Sequence, residues 1–248
     1  TKGLGELILA AVDKGCRRFL IGLGGSATND GGMGMIGAEG FLEKTRGLQF
    51  TIACDVDTPY IGKNGASRVF GPQKGASVQD VEVLEERLRG YALKISEDTG
   101  IDVSDMPGAG AAGGLGGAFW AYLGAELKRG VDLVLDQIGF DSVIAGADLV
   151  ITGEGCSDYQ TLKGKTAVGV LERAERLNIP VALVSGAVRD EKMLRDRGFR
   201  IVEAVTPPSM SLEEAMRPET SKHLVAVATR NILHQFCIYY RVLHMRNH

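Results

Sequence analysis

The 248-residue chain is 44% hydrophobic and 24% charged with a formal charge of −3, the composition of a globular protein with enough apolar material for one large core or two ordinary ones. The slightly acidic balance gives no electrostatic footprint for nucleic acid or an anionic membrane. No apolar run reaches the roughly 18 residues that span a bilayer, and Thr1-Lys2-Gly3-Leu4 opens without a basic-then-apolar signal pattern, so a cytoplasmic protein is expected.

In chain order, Leu4 to Lys14 carries apolar residues at helical spacing and is followed by Gly15, a natural stop. Phe19 to Leu23 is a short continuous apolar run, the pattern of a buried parallel strand. A Gly-rich loop, Gly24 to Gly34, leads on toward a helical stretch. Phe50 to Cys54 predicts a second strand, ending at Asp55 and Asp57. Val78 to Ile95 is a charged amphipathic helix with Ser77 as its N-cap and Asp80 in the first turn. A second Gly-rich loop, Gly108 to Gly117, enters an apolar helix over 115–127. Asp148 to Thr152 predicts a strand ending at Gly153-Glu154-Gly155, with a helix over 166–177. Strands over 181–185 and 200–205 flank a helix over 190–197, and Ser211 with Glu214 forms a capping box for a final helix. Short apolar strands alternating with helices give an α/β protein with parallel sheets, with a break near 145.

The chemistry sits in the glycines and what surrounds them. The 34 glycines cluster at 22–40, 62–75, 108–117, 153–155 and 164–169 rather than spreading as a linker would. In the first loop Gly24, Gly25, Ser26, Thr28, Asn29 and Asp30 offer free N–H groups, hydroxyls, an amide and a carboxylate at a strand end, where open α/β sheets bind ligands. In the second, Gly113 and Gly114 precede a helix N-terminus, which attracts phosphate, with close helix packing through small residues as the alternative. No Gly-Lys-Ser/Thr follows, so this is not a Walker loop. Glu154 and Asp158 are candidates for magnesium or substrate, and Lys165 for neutralising phosphate charge. Asp55 is the candidate general base, against the alternative of a turn or helix-cap aspartate. The cysteines Cys16, Cys54, Cys156 and Cys237 form no CxxC pair and every histidine lies beyond 220, which points to reduced thiols and away from a histidine mechanism.

Four stretches in order, IGLGGSATNDGGMGM, ACDVDTPYIGKNGASRVFGPQKGA, PGAGAAGGLGGAF and GADLVITGEGCSDYQTLKGK, closely resemble the type I glycerate kinase family. The resemblance implies two Rossmann-like α/β domains with mainly parallel sheets, one inserted into the other. On that pattern 1–145 resembles most of the inserted domain, 146–231 the C-terminal part of the enclosing one, and 232–248 is an atypical tail. It also implies transfer of the γ-phosphate of ATP to D-glycerate, giving 2-phosphoglycerate, with Mg2+ as the metal. The chain departs from the family in lacking its Ala-Pro-Asp-Ser-Phe-Lys-Gly type opening, in a short link from Gly40 to Phe50, in Cys156 where an arginine is usual, and in its last residues. These departures set the expectation of an incomplete copy with weak kinase activity or none, a less stable second half and a tendency to self-associate. The alternative is a non-catalytic remnant that binds nucleotide or glycerate weakly.

Overall fold

The computed structural model describes residues 1–162, 164 and 166–245, and side chains up to 238. It divides into two compact units, Thr1–Leu133 and Val134–His248.

The first unit opens with α1 (Lys2–Asp13), β1 (Arg18–Gly22), α2 (Met33–Ile36), α3 (Phe41–Lys44), β2 (Gln49–Ala53) and α4 (Ala66–Phe70). It continues through α5 (Val78–Thr99), α6 (Ala111–Leu123) and β3 (Glu126–Lys128). Its sheet is parallel in the order β1-β2-β3, with Leu20 opposite Thr51 and Thr51 opposite Glu126. The central strand is the more buried one, through Phe50 and Ile52. Phe50 stacks on Phe19 with ring centroids 4.9 Å apart and meets Phe119 of α6 at 6.0 Å. β1 is an edge strand, and the full burial expected of it fails on one face: Leu20 is 50% exposed.

Helix α6 explains most of the glycine excess. It is buried all round and stands between two apolar clusters. One contains Met35, Phe41, Ile52, Leu115 and Phe119, the other Tyr60, Leu88, Ile95, Val103 and Ala121. A helix in that position needs small residues where neighbours cross it. A Cβ on Gly116 would lie 2.3 Å from the Gly108 carbonyl oxygen, and one on Gly117 would lie 2.7 Å from the Tyr60 ring. The sequence pattern carried this helix to 127, but Gly124 takes a left-handed conformation and stops it. The chain then enters β3, which has too little apolar sequence to announce itself.

The boundary between units runs through α7 (Gly130–Gln137). The second unit holds α8 (Phe140–Ile144), β4 (Val150–Ser157), α9 (Thr166–Arg176), β5 (Val181–Val188), α10 (Glu191–Arg197), β6 (Ile201–Ala204), α11 (Leu212–Ala215) and α12 (Pro218–Met245). Its sheet is parallel in the order β4-β5-β6. The break falls some residues before the expected 145 because Arg173 of α9, nearly buried, pairs with Asp136 and, at 3.0 Å, with Asp141. Those ion pairs tie α7 and α8 to the second sheet. The expected atypical tail is likewise part of this unit: Ile232 and Phe236 of α12 pack on Ala182 and Ile201. The Ser211 hydroxyl accepts from the Glu214 N–H as a cap, but the helix it starts is a single turn, and α12 begins afresh at Pro218.

Candidate functional site

The loop after β1 faces a cleft of about 600 Å3. Ala27 to Asp30 form one wall, Gly71 and Lys74 to Ala76 a second, and the N-terminal half of α5 a third. The loop is held from behind. Gly31 donates its N–H to the Gly113 carbonyl at 2.9 Å and accepts from the buried Tyr60 hydroxyl at 3.0 Å. The Thr28 hydroxyl donates to the Ala112 carbonyl at 3.3 Å, and the Asn29 amide donates to the Ser67 hydroxyl at 2.9 Å. Asp30 accepts from the Thr1 amino group at 2.7 Å, the Thr1 hydroxyl at 2.9 Å and the Gly32 N–H at 3.2 Å. Burial pushes the Asp30 carboxyl up, but those donors outweigh it and hold the group below the usual carboxylate range.

Lys74 is the residue that sequence reasoning passed over. A turn from Pro72 to Lys74, closed by left-handed Gly75, carries it into the cleft. There its amine donates to the Thr28 carbonyl at 2.6 Å and sits 6.0 Å from the centre of the Phe70 ring. Burial lowers its pKa. A single lysine between two glycines carries no pattern of its own; the nearest signal was Pro72, which fixes the turn. Arg87, on the face of α5 that lines the cleft, was missed for the same reason, as one charge in a charged helix.

The expected residues fare differently. Thr28, Asn29 and Asp30 line the cleft. Gly24 and Gly25 are exposed, Gly25 with φ of 62°, and Ser26 does not line the cleft. Gly113 and Gly114, expected to meet phosphate, are buried under the first loop instead. A Cβ on Gly113 would fall 2.2 Å from the Thr28 carbonyl oxygen, and one on Gly114 2.7 Å from the Gly31 Cα. Ala112, Gly113 and Gly114 are all left-handed, an excursion that presses this segment against the first loop. The structure therefore gives these glycines a packing role. Asp55 lies at the end of β2, exposed, and accepts the Gly130 N–H at 2.7 Å, capping the start of α7.

In the second unit Glu154 accepts from the hydroxyls of Ser157, at 2.7 Å, and Thr161. Ser157 in turn meets Ser185 at 2.5 Å, so a buried hydroxyl network fixes this carboxylate. Asp158 accepts the Gln160 N–H at 2.8 Å. Among the described residues no group of three or more His, Cys, Asp or Glu side chains is placed to hold a metal ion. Lys165 lies outside the described residues. Cys156 lines a mainly apolar cavity of about 790 Å3 with Gly153, Gly186, Val205, Met210 and Leu212. The four cysteines are free thiols. No helix among the described residues is long and apolar enough to cross a membrane.

Known proteins agree with the motif pattern. The sequence model of the glycerate kinase family matches residues 1–45 and 36–237. The chain is similar to a glycerate kinase of Bacillus subtilis (41% identity, covering 87% of this chain and 64% of that one) and to one of Bacillus cereus (42%, covering 92% and 69%). It is 38% identical to the glycerate 2-kinase of Escherichia coli K12, covering 94% of this chain and 68% of that one. A crystal structure of a Salmonella typhimurium LT2 protein assigned as glycerate kinase 2 superposes with a TM-score of 0.76 at 39% identity, covering 96% of this chain and 69% of that one. The chain thus spans about two thirds of the length of these relatives. The alignment to the Bacillus cereus protein runs over 262 residues, more than the 248 of this chain, so that relative holds residues inside the aligned span that are lacking here. The two stretches matched by the family model overlap at 36–45, beside the short Gly40–Phe50 link. With about 40% identity to these kinases over most of its length, the chain belongs to the glycerate kinase family.

Proposed function

We propose that the chain acts in the ATP-dependent phosphorylation of D-glycerate, giving 2-phosphoglycerate and ADP. The observation that carries this reading is the polar cleft beside Thr28, Asn29 and Asp30 in a member of this family. In the reaction the C2 hydroxyl oxygen forms a bond to the γ-phosphorus while the bond from that phosphorus to the β–γ bridging oxygen breaks, and ADP leaves. The hydroxyl proton passes to a carboxylate, for which Asp55 is the candidate: Gly130 fixes one of its oxygens and leaves the other to act as base. Phosphoryl transfer otherwise asks the protein for positioning and charge neutralisation.

Magnesium asks for one or two carboxylates, with phosphate oxygens and water completing its shell. Glu154, within β4, and Asp158, just after it, are hard oxygen donors, and the hydroxyls of Ser157 and Thr161 keep Glu154 oriented, so the donor set fits the ion. When bound, Mg2+ would neutralise charge on the triphosphate. Lys165 is proposed to add a cation to the same phosphates.

A second reading, binding without turnover, is favoured by Cys156. Its thiol lines the cavity of the second unit where an always-charged guanidinium would grip an anion. A coupled ADP-release assay with D-glycerate, ATP and Mg2+ separates the two. D-Glycerate-dependent ADP release supports the kinase. Its absence in a preparation that still binds D-glycerate establishes the second reading.

A further inference from the structure

Two walls of the cleft in the first unit are tied to one segment behind it, Tyr60 to Gly62. The Tyr60 hydroxyl donates to the Gly31 carbonyl at 3.0 Å, next to the residues Thr28, Asn29 and Asp30 that line the cleft. Two residues on, the Gly62 N–H donates to Glu85 at 2.7 Å. Glu85 belongs to α5, whose Leu84 and Arg87 line the opposite wall. The segment itself is anchored. The Tyr60 and Ile61 N–H groups donate to the Ser104 carbonyl at 3.1 and 3.3 Å, and the Tyr60 carbonyl accepts from Ala66 at 3.3 Å. Tyr60 is fully buried, and three glycines leave room for it. A Cβ on Gly31 would fall 2.2 Å from its hydroxyl oxygen, and Cβ atoms on Gly114 and Gly117 would fall 2.8 and 2.7 Å from its ring. Glu85 is 2% exposed, and its second carboxylate oxygen has no hydrogen-bond partner among the described residues. Core packing gives no reason for either polar group. Phenylalanine would fill the space of the ring without burying a hydroxyl, and a buried carboxylate with an unpaired oxygen destabilises a fold.

We propose that Tyr60 and Glu85 are positioning residues, which through the segment Tyr60 to Gly62 fix the spacing between the first loop and α5 and so set how closely a ligand fits between them. Neither lines the cleft, so each acts through a neighbour: Tyr60 through the Gly31 carbonyl, Glu85 through the Gly62 N–H. A wall held by a buried hydrogen bond is in its binding shape before the ligand arrives, and less affinity is lost to ordering it. The identity of the ligand used in the test rests on the kinase reading; the bracket does not.

The test is calorimetric titration of the full chain with D-glycerate, without ATP, with hydrogen exchange and thermal melting of the same proteins. Tyr60→Phe keeps the ring and removes the hydroxyl. It should weaken D-glycerate binding roughly fivefold, the effect of one hydrogen bond. It should also speed exchange of the Gly31 amide, which is bonded to the Gly113 carbonyl at 2.9 Å, while the amides of 88–95 keep their protection. Glu85→Ala should lower the affinity by a similar factor, and Glu85→Gln, which keeps an oxygen for the Gly62 N–H, should restore most of it. A hydroxyl that only stabilised the fold would lower the melting temperature and leave the affinity of the folded chain where it was. That result would overturn the proposal, as would Gly31 exchange unchanged in Tyr60→Phe, or protection lost throughout 88–95. Should Glu85→Ala not fold, Tyr60→Phe decides alone. If the wild-type chain does not bind D-glycerate, the kinase reading fails, and Gly31 exchange decides the bracket: faster in Tyr60→Phe with 88–95 unchanged, it stands; unchanged, it falls.

Discussion

The two glycine-rich loops of the first unit look alike on paper and do opposite things. In Gly24–Gly32, Ala27 to Asp30 line a cleft while Gly31 and Gly32 are buried beneath it; Gly108–Gly117 is buried along its length and serves as the wall behind. Both are small, polar or neutral, and both lie near a helix start. What separates them is what stands opposite. The first loop has open space at Gly24 and Gly25, while in the second a Cβ at Gly110, Gly113 or Gly116 would meet a backbone carbonyl oxygen at 2.1 to 2.3 Å. Glycine can be chosen for what it lets approach from solvent or for what it lets approach from the protein, and only the second use makes every position intolerant.

The sharpest way to break this comparison is the same substitution in each loop. Gly113→Ala combines a left-handed φ of 70° with a Cβ 2.2 Å from the Thr28 carbonyl oxygen. Unfolding in urea should show a loss of about 3 kcal/mol or more, since strain and overpacking add. D-Glycerate binding should fall with it, because Thr28 is displaced.

Asp55 sharpens the distinction between a structural and a chemical carboxylate. Asp55→Asn retains an oxygen to accept the Gly130 N–H, so the melting temperature should hardly move. A general base contributes about 100-fold or more, and turnover with D-glycerate should fall accordingly while ATP binding is kept. Normal turnover would leave Asp55 only its capping role.

These contrasts also show what the amino-acid sequence disclosed. The strands at 18–22, 49–53, 181–188 and 201–204 were legible because each carries a short apolar run beside an amphipathic helix, whereas β4 was legible only to Thr152: Gly153-Glu154-Gly155, expected as its end, lie inside it, Gly153 and Glu154 pairing with Val184 and Ser185. β3 was not, because Glu126-Leu127-Lys128 has one apolar residue, and Leu127 extends the apolar pattern of the helix that ends just before it. Thr28, Asn29 and Asp30 were legible from residue type alone. The function of Gly113 and Gly114 was not, because it depends on Thr28 and Gly31, more than 80 residues earlier in the chain. Lys74 and Arg87 are single charges in ordinary surroundings, and only the third dimension brings them into one cleft.

Lys74 gives the comparison a pH dependence. Burial lowers its pKa below the ordinary lysine value, so it loses its proton earlier than an exposed lysine as pH rises. Asp30 and Asp80 line the same cleft and stay ionised as Lys74 titrates, because hydrogen bonds hold them below the usual carboxylate range. D-Glycerate affinity should therefore weaken as pH climbs toward the ordinary lysine value, and Lys74→Arg should flatten that decline. The sign for folding is opposite. The unfolded chain holds this proton more tightly, so the contribution of Lys74 to stability rises with pH through the interval between its folded and unfolded values. The smallest effect belongs to Gly25→Ala. No atom lies within 4 Å of the new Cβ, and the cost is the left-handed φ of 62° alone, about 1 kcal/mol in urea unfolding.

Hydrogen exchange of the full chain with and without D-glycerate compares the two loops in one experiment. Amides of 113–117 are buried, and those of Gly113, Gly114 and Gly117 are bonded to the carbonyls of Gly110 and Ala109, so they should be protected before any ligand is added and change little afterwards. Amides of Ala27 to Asp30 should exchange quickly in the free protein and gain protection when D-glycerate binds. New protection confined to 108–117, with none at 27–30, would contradict the assignment of the first loop as the ligand face and the second as its support.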